Sequence, residues 1–306
     1  MKKSLFIKEL KNMKMIAHRL GYQMTKYPEN SIEALDEIFK NKKLLNTCDG
    51  FEFDICLTKD LVPIVVHDKY IDDISNKIGL FKNYTYEEIS NFKFSFRKSV
   101  ASKDNFNFKV IRLDEILSFF NKNRLLLADK YIRIETKDYL FKDNGGFEII
   151  ADIINKYPKI NKNIIHICFW PFNLKILKHI QIKKNYEIVK TDLLCDYSIL
   201  VSISKYLKYI DSISLRIKTN SFPKKDSTYS KRVNKKISSD LFYMKFSNTI
   251  REKIIEKCIE KYGVVNLYTL NNESEIYDMC IHLSDDFFLK YKDKMIITTN
   301  EPCKYK

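Results

Sequence analysis

The sequence predicts an α/β fold, a (β/α)8 TIM barrel with a hairpin and a small insertion after the second strand. Three observations lead there. Short apolar, β-branched runs alternate with segments of helical period, the pattern of a parallel sheet. Two successive runs near residue 60 are joined by only five residues, LTKDL, whereas parallel neighbours need a crossover of a dozen or more. The chain of 306 residues is 45% apolar and can bury one large core, and an α/β barrel fits that length as a single domain.

The elements follow in order. Residues 4–13 pattern as a short amphipathic helix, expected to pack against the barrel bottom, and residues 1–13 form an N-terminal extension. The runs at 14–18, 50–56, 62–67, 131–137, 164–170, 187–193, 211–217, 264–270 and 295–299 read as strands. Helical segments lie between most of them. In residues 31–40, Ile32, Leu35 and Ile38 share a face, Asn30 suits the N-cap and Glu33 the third helical position. Residues 147–156 and 249–262 read alike, and Gly263 is a plausible stop. Nine strands are one too many for the barrel. The short turn resolves this, because 62–67 must be the antiparallel return arm of a hairpin above the second strand. The excess segment 69–123 is then the insertion. Only six Gly and six Pro occur, no linker-like stretch interrupts the pattern, and no repeat of 20–50 residues is evident, so residues 1–306 read as one domain.

Chemistry concentrates at the strand ends. Glu52 and Asp54 are two residues apart on one strand and so share a face. Two carboxylates pointing into a barrel are costly unless a cation or bases compensate them. Glu135, in YIRIETKD, ends the next barrel strand in the same way, with Lys137 on its face. Three oxygen donors on adjacent strands suit one divalent cation, Mg2+ or Ca2+, with Mn2+ also acceptable. The competing reading makes Glu135–Lys137 a surface pair and pairs Glu52 with Arg19. The hairpin carries His67 back to the mouth beside the acids, and His18, followed by Arg19, closes the first strand there. Two histidines, one base and one acid, suit in-line displacement at phosphorus, with cationic groups holding the charged oxygens. Active sites of such barrels lie on this C-terminal face. His166, His179 and His282 lack comparable partners and read as structural.

Composition narrows the classes. The net charge is +15, but acids are interspersed with bases nearly everywhere, so no nucleic acid is expected as partner. Residues 218–236 are the exception, with seven bases against Asp226; this loop is a solvated segment or a steering surface for an anionic substrate. The longest stretch free of Lys, Arg, Asp and Glu, NIIHICFWPFNL, has 12 residues, too short for a membrane span. The start, MKKSLFIKELKNMK, has too short an apolar run for a signal peptide. Seven cysteines show no C-x-x-C spacing. A cytoplasmic location with reduced thiols is expected.

The ordered set H-R, P-E-N-S, E-F-D, T-K-D, V-V-H-D and I-E-T-K, followed by NLYTLNN and IITTNEP, resembles the glycerophosphodiester phosphodiesterases over residues 14–302. The resemblance implies a (β/α)8 barrel with a small insertion after its second strand. It also implies hydrolysis of a small anionic phosphodiester to glycerol 3-phosphate and an alcohol with a divalent cation. Carried over, Glu52, Asp54 and Glu135 would be the metal ligands and His18 and His67 the acid–base pair. Arg19 and Lys137 would contact phosphate, Tyr268 the substrate, and Glu29 and Asn30 would shape the first loop. Four positions depart from the family pattern. Leu20 stands for the Gly after His-Arg, Leu61 for the turn Gly, Tyr268 for the usual Trp, and Asn300 for the Asp of the late Thr-Asp. Leu20, Tyr268 and Asn300 are expected near the alcohol side. Two other readings are a phospholipase D-type barrel enzyme that forms a cyclic phosphate and a non-catalytic polyanion-binding barrel.

Overall fold

The structure is a computed structural model that describes residues 3–96, 108–137, 145–195, 204–216, 248–271, 275 and 283–306. Nine strands form one sheet: β1 (Lys14–Ala17), β2 (Gly50–Leu57), β3 (Pro63–Val65), β4 (Tyr131–Thr136), β5 (Ile164–Cys168), β6 (Lys190–Cys195), β7 (Ser212–Arg216), β8 (Val265–Tyr268) and β9 (Met295–Thr299). Eight are parallel and closed. β1 pairs with β9 on one side and β2 on the other, and the rest follow round as β8, β7, β6, β5 and β4. β3 alone is antiparallel. It lies on β2 with Ile55 opposite Val65 and Leu57 opposite Pro63, as a five-residue turn requires.

Most strands end short of their sequence limits, and β6 is displaced from 187–193 to Lys190–Cys195. Its bounds are set by its neighbours, since Ile165 of β5 meets Lys190 and Ser212 of β7 meets Asp192. Local propensity does not carry that information. The helix expected over 31–40 is Ile32–Lys40, and its N-cap is Ser31 rather than Asn30. The Ser31 Oγ accepts from the Ala34 N–H at 3.2 Å. Asn30 instead takes a left-handed backbone, φ 57°, and its side chain is used elsewhere. Gly263 does end the helix Asn248–Tyr262, with φ 78° and its N–H bonded to Ile259 O.

Two apolar clusters wrap the barrel. One joins the helices Ile32–Lys40, Leu113–Lys122 and Gly146–Asn155 to the outer faces of β2 and β4. The other holds the N-terminal helix Lys3–Leu10, whose Phe6 meets Phe288 at 4.7 Å between ring centres. Met15, Val265 and Met295 share that cluster near the starts of β1, β8 and β9, so the helix packs toward the barrel bottom as expected. A third, smaller cluster, with Ile71, Phe81, Ile89, Phe94, Phe108 and Val110, belongs to the insertion. The helix Leu113–Lys122, read in the sequence as the end of the insertion, packs in the first cluster through Leu113, Ile116, Leu117 and Phe120. Gly50 lets β4 approach β2, because a Cβ there would stand 2.7 Å from Tyr131 O and 2.8 Å from Ile16 Cδ1.

The barrel interior is polar at mid-height. Arg133 Nη2 donates to Ser214 Oγ at 2.7 Å and pairs with Asp192 Oδ2 at 3.1 Å. Ser212 Oγ donates to the same carboxylate, and Asn266 links Ser214 to Thr298. All are buried. Breaking such a pair leaves an uncompensated buried charge, so this layer beneath the mouth is costly to disrupt.

Candidate active site

The pleat of β2 turns Glu52 and Asp54 inward, and the parallel register sets Asp54 beside Glu135 and Glu52 beside Arg133. Glu52 and Asp54 are buried, and donor oxygens of Glu52, Asp54 and Glu135 all lie within 4.8 Å of one another. Lys137 Nζ meets Glu135 Oε1 at 2.6 Å and Asp54 Oδ1 at 3.0 Å. The surface-pair reading of Glu135–Lys137 is therefore replaced by a buried acid cluster with one ammonium inside it. Glu52 and Arg19 do meet, but through the backbone: the Arg19 N–H donates to Glu52 Oε2 at 3.0 Å. The guanidinium instead grips both oxygens of Glu29, at 2.9 and 3.1 Å, and comes within 4.0 Å of Asp54.

Three consecutive left-handed residues, Arg19 (φ 50°), Leu20 (φ 60°) and Gly21 (φ 89°), aim that N–H at Glu52. Non-glycine residues in this region cost of order 1–3 kcal/mol and persist where surrounding structure holds them. Leu20 is wholly buried and supplies that hold by packing. Leu61, the other residue standing for a family glycine, is also left-handed, φ 62°, in the hairpin turn. Asn30 closes the loop, its N–H on Arg19 O and its Nδ2 donating to Asp54 Oδ2 at 3.3 Å.

The histidines arrive as the topology requires. Val66 N–H bonds Asp54 O, so His67 follows at the end of the hairpin arm, and its Nδ1 lies 2.7 Å from Asp68 Oδ1. His18 directly follows β1, with Nε2 3.8 Å from Glu52 Oε2 and Nδ1 2.6 Å from Asn300 Oδ1. Tyr268 ends β8 on the same rim, in register with Thr298. A small cavity of about 20 Å3, room for about one water, lies beside His67 between Tyr22, Pro28 and Asn30 of the first loop and Ile74 and Phe108 of the insertion. The basic loop at 218–236 lies outside the described residues, as does His282. His166 is buried on the outer side of β5 against Phe147, and His179 packs on Tyr209.

Burial sets the electrostatics. It pushes the Glu52 carboxyl well above its ordinary range, with Asp54 and Glu135 adding repulsion. It would raise Asp54 too, but Lys137, His67 and Arg19 outweigh it and hold that group low. Lys137 resists the same burial because Asp54, Glu135 and Glu52 keep its ammonium charged, above its usual value. Burial, with Arg19 adjacent, drops His18 to about 3. The arrangement suits a hard cation. Its donors are all carboxylate oxygens, Lys137 leaves charge uncompensated, and Glu52 Oε1 is buried with no hydrogen bond from the described residues.

The sequence assigns no role to Asp68, although it stands beside His67. Asn300 reads there as a departure expected near the alcohol side, and nothing local ties it to a histidine 282 positions away.

The comparisons with known proteins agree with this geometry. The profile described as "Glycerophosphoryl diester phosphodiesterase family" matches residues 21–298. A glycerophosphodiester phosphodiesterase of Bacillus altitudinis is 28% identical over 175 residues, which span 55% of this chain and 64% of that relative, so under two thirds of its length is covered. The crystal structure of a glycerophosphodiester phosphodiesterase from Agrobacterium tumefaciens superposes with a TM-score of 0.60 at 15% identity, covering 96% of this chain and 98% of that one. An Oleispira antarctica phosphodiesterase solved with its product sn-glycerol-3-phosphate gives 0.62 at 13%, covering 95% and 94%. Both likenesses speak for the fold. The profile, which runs from the first loop into β9 and takes in every acid of the cluster, places this chain in the glycerophosphoryl diester phosphodiesterase family.

Proposed function

We propose that this chain is a divalent-cation-dependent phosphodiesterase that hydrolyses a glycerophosphodiester to a glycerol phosphate and an alcohol. The observation that carries the reading is the buried cluster Glu52–Asp54–Glu135 set beneath His18 and His67 at one barrel mouth. In this reading the three carboxylates hold one Mg2+, Ca2+ or Mn2+, which supplies positive charge to the phosphoryl oxygens. Lys137 and Arg19, each anchored by carboxylates, contact the same phosphate. Tyr268 lines the substrate side. Attack at phosphorus forms one P–O bond as the bond to the leaving alcohol breaks. The attacking hydroxyl gives up a proton and the departing alkoxide takes one, and His18 and His67 are the groups placed to make the two transfers.

A small anionic diester fits a mouth that presents the Arg19 guanidinium and the Lys137 ammonium beside the acids, and family membership together with the product bound by the Oleispira enzyme supports the glycerophosphate half. One domain, residues 1–306, carries the whole site. No helix of the described residues is long and apolar enough to cross a membrane. None of the six described cysteines is in a disulfide and five of them are buried, which supports a reducing, cytoplasmic setting. The test is phosphorus NMR of glycerophosphocholine incubated with the protein and each of the three cations. Appearance of a glycerol phosphate resonance is the expected result. Accumulation of a cyclic phosphate would shift the reading to intramolecular attack, and no turnover with any of the three would overturn it.

A further inference from the structure

His18 and Asn300 meet because β1 and β9 are neighbours in the closed sheet, with Ala17 opposite Thr299. Asn300 is the next residue after β9 and is buried, 8% exposed. Its position is fixed from two further loops. Its N–H donates to Asn271 Oδ1 at 2.8 Å, and its Nδ2 reaches Gln23 Oε1 at 3.5 Å. With Nδ2 turned to Gln23, the amide oxygen faces His18 Nδ1 at 2.6 Å. An amide oxygen only accepts, so the imidazole must carry its proton on Nδ1. The lone pair is then on Nε2, which points to the acid cluster and stands 3.8 Å from Glu52 Oε2. That distance is too long for a hydrogen bond, as expected of two acceptors facing one another.

From this geometry we infer that Asn300 is a positioning residue, whose amide oxygen locks His18 as the Nδ1–H tautomer and turns the unprotonated Nε2 toward the reacting groups. The inference rests on the phosphodiesterase reading for its consequence, but the tautomer exists without turnover. In the Nδ1–H form, Nε2 accepts a proton from a water or substrate hydroxyl. In the other tautomer Nε2 already carries the proton and has no lone pair with which to accept one. His67 has a different orienter, the Asp68 carboxylate, so the two rings are held by chemically distinct partners.

The experiment is nitrogen NMR of histidine-labelled protein, with the His18 signals assigned by their absence in His18→Gln. The expected spectrum shows a protonated Nδ1 and an unprotonated Nε2 for His18 in the unliganded wild type. A protonated Nε2 overturns the inference. Asn300→Leu should mix the two tautomers and lower kcat by about 10–100-fold, the span for partners that orient functional histidines, with KM little changed. Asn300→Asp accepts just as the amide oxygen does and should keep the tautomer and most of kcat. A folded Asn300→Asp that loses activity as fully as Asn300→Leu, or an Asn300→Leu with wild-type kcat, overturns the inference. Hydrolysis by the wild type is read separately. Its absence would overturn the phosphodiesterase reading, while the ring nitrogens decide the tautomer in either case.

Discussion

Lys137 Nζ lies 3.0 Å from Asp54 Oδ1, across the β2–β4 pair that also sets Asp54 beside Glu135. One ammonium thus serves two of three acids and leaves Glu52, whose carboxyl burial raises, dependent on a backbone N–H. A site built this way is under electrostatic tension until a dication joins it.

Glu52→Gln is therefore expected to raise the melting temperature of the cation-free protein and to shrink the gain on adding Mg2+, Ca2+ or Mn2+. Asp54→Asn and Glu135→Gln should shrink that gain as well. All three should weaken cation affinity by more than the roughly 10–100-fold typical of a group that only orients a ligand. Thermal melts with and without chelator, alongside calorimetric titration, check this. An unchanged cation-induced shift in all three variants would exclude the cluster as the cation site.

His18→Ala and His67→Ala are expected to lower kcat by about 10²–10⁴, the usual span for general acid–base catalysis. A p-nitrophenyl diester has a leaving group that needs no proton. It should restore the variant that has lost the acid and leave the other slow. Wild-type rates on an alkyl diester in both variants would rule the pair out.

His166 makes stability depend on pH. Burial lowers it to about 3 from its ordinary 6.5. The unfolded chain binds this proton below 6.5 and the folded chain only near 3, so stability rises with pH across that window. It is fully present above 6.5 and is lost as pH falls, by up to about 1.4 kcal/mol per unit. His18, also lowered to about 3, acts in the same sense. Urea unfolding of wild type and His166→Gln at pH 7, 6 and 5 should show a shallower decline in the variant. Parallel declines would refute the assignment.

Gly50→Ala should destabilise the barrel by about 1–3 kcal/mol, the cost of forcing an extra carbon into a packed interior. The nearest obstacle is backbone, Tyr131 O, which cannot step aside as a side chain can. A urea midpoint equal to that of the wild type would show that β2 and β4 can separate there.

Much of the site was legible because its logic is local. Alternation along β2 puts Glu52 and Asp54 on one face, and the short turn at 58–62 forces an antiparallel arm that returns His67 to them. The error at Asn30 is instructive for the same reason. Asn and Ser are both good caps, and propensity cannot choose between neighbours. The choice came from Asp54, which takes the Asn30 side chain and leaves the cap to Ser31.

The sequence by itself determined the period of each element, the presence of a hairpin and the residue types at the strand ends, since these depend on chain geometry over a few residues. Only the tertiary structure decided which ends meet. Closure of β1 on β9 brings Asn300 to His18. The strand register brings Lys137 between Asp54 and Glu135, and buries Arg133 with Asp192 beneath them. Those contacts join residues far apart in the chain, and their energies come from burial and from charges in a low-dielectric interior, which no local pattern encodes.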